Sequence, residues 1–229
     1  MDTETFMIEW ASHRLVFGLR TCVMGILNVT PDSFSDGGRY LSVGAAVAKG
    51  IELAREGADI LDVGGESSRP FSDPVSQEEE SERVAPVIER LARSVSIPIS
   101  IDTTKAEVAR RAIEAGASMI NDITALQGDP GMADVVSDCR VPVVLMHMQG
   151  TPKTMQTAPR YVNAASDIRN FLSQAVQFAL SRNILRSRII IDPGIGFGKT
   201  AEQNLMLIRC LGIFKSLRLP ILVGTSRKS

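Results

Sequence analysis

The stretch Met24-Gly-Ile-Leu-Asn-Val-Thr-Pro-Asp-Ser-Phe-Ser-Asp-Gly-Gly38 decides how the rest of the chain is read. Its first part lies in an apolar, β-branched run from Cys22 to Thr30 that predicts a buried strand. Polar groups enter at Asn28, and after Thr30 the composition turns to Pro, Asp, Ser and Gly, which make turns. A strand that runs into a long polar loop is the signature of an α/β protein, where ligands meet the carboxyl ends of strands.

The pattern repeats along the chain. Strands are predicted over 22–30, 60–64, 99–101, 119–122, 143–147, 189–192 and 221–224, with helices over 43–56, 76–94, 105–115, 132–137, 161–183 and 201–211. Gly57 and Gly116 stop helical runs in a left-handed conformation, and Ser76 with Glu79 makes a capping box. Strand-then-helix repetition implies parallel strands with right-handed crossovers. Steps of this size predict a (β/α)8 TIM barrel, for which about 250 residues is typical. An open doubly wound sheet would carry a Gly-rich turn after its first strand, and Thr30-Pro-Asp-Ser33 stands there instead. Residues 1–20 are expected to form a cap or short strand pair, and 21–229 the barrel domain. The chain is expected to end after the seventh strand, leaving the barrel incomplete, before helix 7, strand 8 and helix 8.

Composition narrows the function. With 229 residues, 44% of them hydrophobic, the chain can bury a sizeable core. A net charge of −1 with mixed signs argues against a nucleic-acid footprint. No secretory core, apolar span of membrane length or lipidation motif is legible, so a cytoplasmic protein without a membrane partner is expected. Cys22, Cys139 and Cys210 have no paired spacing; Cys22 and Cys210 sit among apolar neighbours and are expected to be buried free thiols.

In a barrel the strand ends converge on one mouth, where Asn28, Glu66 to Arg69, Asp102, Asn121 with Asp122, His147, Asp192 and Lys228 would meet. Carboxylates accept N–H donors and an asparagine offers both roles, a set suited to a flat, nitrogen-rich heterocycle. Buried carboxylates need such a donor-bearing partner. Asp192-Pro-Gly-Ile-Gly-Phe-Gly-Lys199 lacks the spacing of a nucleotide loop, and its glycines let the chain turn close to a ligand. His147 has only His13 for company and is read as loop-ordering. No cysteine or serine nucleophile is supported.

The opening stretch, with Glu66-Ser-Ser-Arg-Pro70, Ile101-Asp-Thr-Thr104, Ile120-Asn-Asp122, Asp192 to Lys199 and Gly224-Thr-Ser-Arg-Lys-Ser229, resembles the dihydropteroate synthases, collinearly from about Thr21 onward. That resemblance implies condensation of 6-hydroxymethyl-7,8-dihydropterin diphosphate with 4-aminobenzoate, giving 7,8-dihydropteroate and pyrophosphate. It implies that Asp192 takes the pterin 2-amino and N3 hydrogens, Asn121 another ring-edge bond and Asp102 the reduced-ring N–H. Lys228 would contact the carbonyl side, with Met146 and Phe197 against the ring and Gly224 beside it. Asn28 would lie at the pyrophosphate and its Mg²⁺. Phe34, Ser68, Arg69, Pro70 and Ser229 would contact the aminobenzoate, on loops acting as a lid. The family commonly has Thr at Ser68 and Gly at Phe71, so Phe71 bears on the aminobenzoate pocket and on sulfonamide binding. An Arg-x-His pair from the family's eighth strand lies beyond Ser229. The full-length protein is expected to be a homodimer. The alternatives are a pterin-binding corrinoid methyltransferase, against which Thr30 to Phe34 and Ser226 to Lys228 argue, and a non-catalytic homologue.

Overall fold

The computed structural model describes residues 4–30, 38–67, 74–151, 153–155 and 160–225, with side chains from 43 onward in the second segment. A hairpin, β1 (Phe6–Trp10) and β2 (His13–Phe17), comes first and pairs antiparallel. Then β3 (Met24–Asn28), β4 (Ile60–Gly64), β5 (Ile99–Asp102), β6 (Met119–Asp122), β7 (Val143–Met146) and β8 (Ile189–Asp192) form one parallel sheet in sequence order. Between and after them run α1 (Gly38–Arg55), α2 (Gln77–Ala92), α3 (Ala106–Glu114), α4 (Met132–Cys139), α5 (Ala164–Ser181) and α6 (Ala201–Arg209). Consecutive parallel strands with a helix after each are the units of a (β/α)8 barrel.

The strand predicted over 221–224 is reduced to a single parallel bridge, Ile221 to Ile191, flanked by Ile191 N–H to Pro220 O at 3.0 Å and Leu222 N–H to Ile191 O at 2.8 Å. One bridged residue does not make a ladder. The strand predicted over 22–30 is also shorter, Met24–Asn28, its ladder closing with the bond from Val29 N–H to Gly64 O at 2.7 Å.

Each strand divides its side chains between two faces. Leu27, Leu61, Val63, Ile99, Ile101, Ile120, Val143, Leu145, Ile189 and Ile191 point outward into the main core beneath the helices. Inward positions change character along the strands. At their starts Ile60, Met119, Val144 and Ile190 meet Ile8, Trp10 and Leu15 of the hairpin. The hairpin therefore seals the amino-terminal end of the sheet, and the Trp10 indole N–H donates to Ser118 O at 2.7 Å. Further along, the inward positions are Asp62, Ser100, Asn121, Asp102, Met146 and Asp192. One end is apolar and plugged; the other is polar.

Gly57 (φ 104°) and Gly116 (φ 114°) take the left-handed conformation that the helix stops demanded. Ser76 caps α2 by accepting from Glu79 N–H at 3.1 Å. A full capping box, not anticipated, opens α6 at Thr200 and Gln203. Cys22 and Cys139 are half-buried free thiols, whereas Cys210 is exposed, contrary to expectation: it closes α6 on the outer surface.

Candidate active site

Register places the polar positions beside one another. Asn28 pairs with Gly64, Gly64 with Asp102, and Asp102 with Asn121, so four strand ends share one rung of the sheet. Gly64 keeps this rung open. A Cβ there would lie 3.5 Å from Asp102 Oδ2 and 3.8 Å from Asn28 Oδ1, so both oxygens border the space above it. Met146 and Asp192 pair with each other on the neighbouring strands.

Asp192 is held by the turn that follows it. Its Oδ1 accepts Gly194 N–H at 2.7 Å, and burial pushes its carboxyl up to about 6, against the pull of Gly194 and Lys199. The turn depends on glycine. Gly194 sits at φ 67°, and a Cβ there would come within 2.0 Å of His147 O. Gly196 N–H donates to Asn204 Oδ1 at 2.9 Å, anchoring the turn to α6.

Lys199 is wholly buried and was not singled out from the sequence. Its Nζ donates to Gly194 O at 2.7 Å, Phe197 O at 2.8 Å and His147 O at 3.2 Å, and faces His147 Nδ1 at 3.1 Å. Burial draws its pKa down to about 7, opposed by Asp192. His147 is pushed down to about 3 by burial and then by Lys199, so its ring is neutral. Phe171 packs edge-on against that ring at 4.8 Å between centroids. His147 N–H also donates to Asp192 O at 2.9 Å. The loop-ordering reading of His147 matches this geometry: it joins the exits of β7 and β8.

Two further carboxylates lie nearby. Asp62, in mid-strand, accepts Asn121 Nδ2–H at 2.9 Å on Oδ2, and burial raises its pKa while Ser100 and Asn121 oppose the rise. Its position inside the apolar run Ile60-Leu-Asp-Val-Gly64 was the available signal. Asp122 turns the other way. It accepts Thr124 N–H at 2.8 Å, the Thr124 hydroxyl at 2.6 Å and Leu126 N–H at 2.8 Å, so it folds the loop after β6 and leaves the mouth.

The exit of β4 has its own brace. Lys105 Nζ bonds Glu66 and, at 2.5 Å, the buried Glu80 of α2. Burial opposes its charge, but the two carboxylates together hold its pKa above the usual lysine value. Arg83 donates to Gly65 O at 2.8 Å from the same side.

The structure thus gathers Asn28, Asp102, Asn121, Met146 and Asp192 at one end, with Phe197 half-buried on the turn beside them. Gly224 is exposed, just past the single bridge. Phe34, Ser68, Arg69, Pro70, Phe71, Lys228 and Ser229 lie outside the described residues. Among the described residues no group of three or more His, Cys, Asp or Glu could hold a metal, and no helix is long and apolar enough to cross a membrane.

A parallel α/β barrel with carboxylates and amides at the carboxyl ends of its strands defines an enzyme whose ligand is recognised through polar edges in a concave mouth. The family model described as pterin binding enzyme matches residues 24–229. The dihydropteroate synthase of a Synechocystis species is 49% identical over 93% of this chain and 74% of its own length. The Xanthomonas albilineans dihydropteroate synthase solved with 4-aminobenzoic acid superposes with a TM-score of 0.90 at 48% identity, covering 98% of this chain and 80% of that one. The same species' enzyme in complex with 7,8-dihydropteroate gives 0.82 at 48% identity, covering 93% and 75%. The chain belongs to the dihydropteroate synthase family of pterin-binding enzymes.

Proposed function

We propose that the polar mouth joins 6-hydroxymethyl-7,8-dihydropterin diphosphate to 4-aminobenzoate, releasing pyrophosphate and 7,8-dihydropteroate. The observation that carries this reading is the convergence of Asn28, Asp102, Asn121 and Asp192 on one end of the sheet in a member of this family. Their chemistry is that of hydrogen-bond acceptors, and a pterin's pyrimidine edge is rich in N–H donors.

In this reading Asp192 receives the 2-amino and N3 hydrogens with the oxygen that Gly194 leaves available. Asn121 adds a ring-edge bond and Asp102 holds the reduced-ring N–H. Met146 and Phe197 pack on the ring faces, and Lys228 meets the carbonyl. Heterolysis of the methylene carbon–oxygen bond sends the electron pair to the diphosphate and leaves a cation delocalised into the ring. Asp102 and Asp192 stabilise that charge from fixed positions. The aminobenzoate nitrogen forms the new carbon–nitrogen bond and loses one proton. No protein nucleophile takes part.

The donor set fits Mg²⁺. Asn28 and Asp102 present hard oxygens to one space, and an ion there would complete its shell with diphosphate and water oxygens. When bound, such an ion neutralises charge developing on the leaving diphosphate. Phe34, Ser68, Arg69, Pro70 and Ser229 are assigned to the aminobenzoate. A cytoplasmic enzyme, homodimeric at full length, completes the proposal.

The test is pyrophosphate release from the pterin diphosphate, with and without 4-aminobenzoate and Mg²⁺. Release that depends on both and yields dihydropteroate is expected. A folded, full-length protein that binds the pterin but never consumes aminobenzoate would overturn the catalytic reading.

A further inference from the structure

Asp62 is an ionisable group kept inside the sheet, 2% exposed, one step further in along its strand than the rung of Asn28, Gly64, Asp102 and Asn121. Burying a carboxylate is costly unless its oxygens are partnered. Asp62 is only half satisfied. Oδ2 takes Asn121 Nδ2–H at 2.9 Å, while Oδ1 has no hydrogen-bond partner among the described residues. Ser100, paired with Asp62 in register, holds a buried hydroxyl near enough to favour the charged carboxylate but outside hydrogen-bond geometry. A hydrophobic side chain would suit such a position better if packing were all that mattered.

What the carboxylate does supply is direction. An asparagine amide has a donor end and an acceptor end of nearly the same shape, so its own packing discriminates poorly between two orientations. Asp62 breaks that symmetry. Turning the amide over would set its carbonyl oxygen against a carboxylate oxygen at hydrogen-bonding distance, a repulsive contact. With one Nδ2 hydrogen committed to Asp62, the acceptor end of Asn121, Oδ1, is turned away from that carboxylate, and one Nδ2 hydrogen remains beside it. We propose that Asp62 is a positioning residue that fixes Asn121 with its carbonyl outward, so that the mouth accepts a hydrogen from the edge of the heterocycle at that point and selects against rings presenting an acceptor there. This rests on the reading of the mouth as a pterin site.

The account separates two substitutions at one position. Asp62→Asn keeps an oxygen that can accept from Asn121 but adds a donor end that tolerates the turned amide, so it holds the orientation only in part. Asp62→Ala removes the lock and lets the amide turn. Measured by steady-state kinetics on the full-length enzyme, Asp62→Ala is expected to raise KM for the pterin diphosphate at least tenfold while KM for 4-aminobenzoate changes less than twofold. Asp62→Asn is expected to fall between the parent and Asp62→Ala in KM for the pterin diphosphate, again with KM for 4-aminobenzoate changed less than twofold. Direct titration with 6-hydroxymethylpterin should reproduce the difference in binding, and circular dichroism identifies variants that fold. Equal changes in both KM values, or a folded Asp62→Ala with unaltered pterin affinity, would overturn the proposal. Should Asp62→Ala fail to fold, the swapped pair Asp62→Asn with Asn121→Asp, which again presents an oxygen outward, must bind pterin better than Asn121→Asp alone, or the proposal fails. Absence of pterin binding by the parent protein would instead remove the reading of the mouth itself.

Discussion

Lys199 Nζ lies 2.7 Å from Gly194 O, closing the turn that begins at Asp192 around a buried ammonium. The turn supplies the N–H that holds Asp192, and its glycine fits against the carbonyl of His147 with no room for a side chain. In the proposed reading, recognition by Asp192 is therefore a property of the whole turn. Replacing Lys199 by Met keeps the apolar stem and removes the donors, leaving three carbonyl oxygens without this partner. Pterin affinity should fall at least tenfold, with stability lower by roughly 2–3 kcal/mol for the unpaired groups. Calorimetric titration and chemical denaturation check the two parts separately.

Gly194→Ala probes the same turn from the backbone side. A methyl group 2.0 Å from His147 O requires the β7 and β8 exits to separate, and φ 67° adds strain for any residue with a Cβ. A loss of about 3 kcal/mol or more is expected in denaturant unfolding. Gly57→Ala, also at positive φ but with nothing near its Cβ, should cost only about 1–2 kcal/mol.

With Asp192 holding the pterin as proposed, binding should depend on pH. Burial raises its pKa from 3.8 to about 6, so its carboxyl is protonated below that pH and can no longer accept two N–H donors. Pterin affinity should fall about tenfold per unit as pH drops below about 6. The contribution of Asp192 to the stability of the free protein moves the other way, and that of His147, whose pKa is lowered, opposes it. A raised folded-state pKa contributes stability that is fully present below about 4 and is lost as pH rises through about 6. Isothermal titration between pH 4.5 and 8 should show the affinity slope and its loss in Asp192→Asn, and in thermal melts the stability of the parent relative to Asp192→Asn should decline as pH rises through about 6.

The hairpin prediction concerns stability alone. Trp10 joins the apolar plug, and its indole bonds Ser118 O. Trp10→Phe retains the ring and loses the bond, costing about 1–2 kcal/mol, or a few degrees in Tm. Trp10→Ala should cost about 3–5 kcal/mol. Because the plug lies at the opposite end of the strands from the mouth, pterin affinity of folded Trp10→Phe should be unchanged.

The strands from β4 to β8 were legible because each is a short, mostly apolar run followed by polar or turn residues, the mark of a sheet buried on both faces. Ile221 to Gly224 has the same composition, yet only Ile221 bridges; composition states a preference and pairing needs a neighbour. Asn28, Asp102, Asn121 and Asp192 were legible as strand-end polar residues. Asp122, one residue beyond Asn121, was not separable from them, since alternation sends it to the other face. Lys199 and Lys105 were missed because their partners are backbone carbonyls or residues 25 and 39 positions away, relations that no local spacing records.

Pterin recognition at the mouth rests, in the proposed reading, on Asp192. Its most direct test is the dissociation constant of 6-hydroxymethylpterin diphosphate at pH 7.5 for the parent protein and for folded Asp192→Asn. The account predicts saturable one-site binding that weakens at least a hundredfold on substitution, on the order of 3 kcal/mol for lost bonds to a charged acceptor. Equal affinity in the two proteins would contradict it.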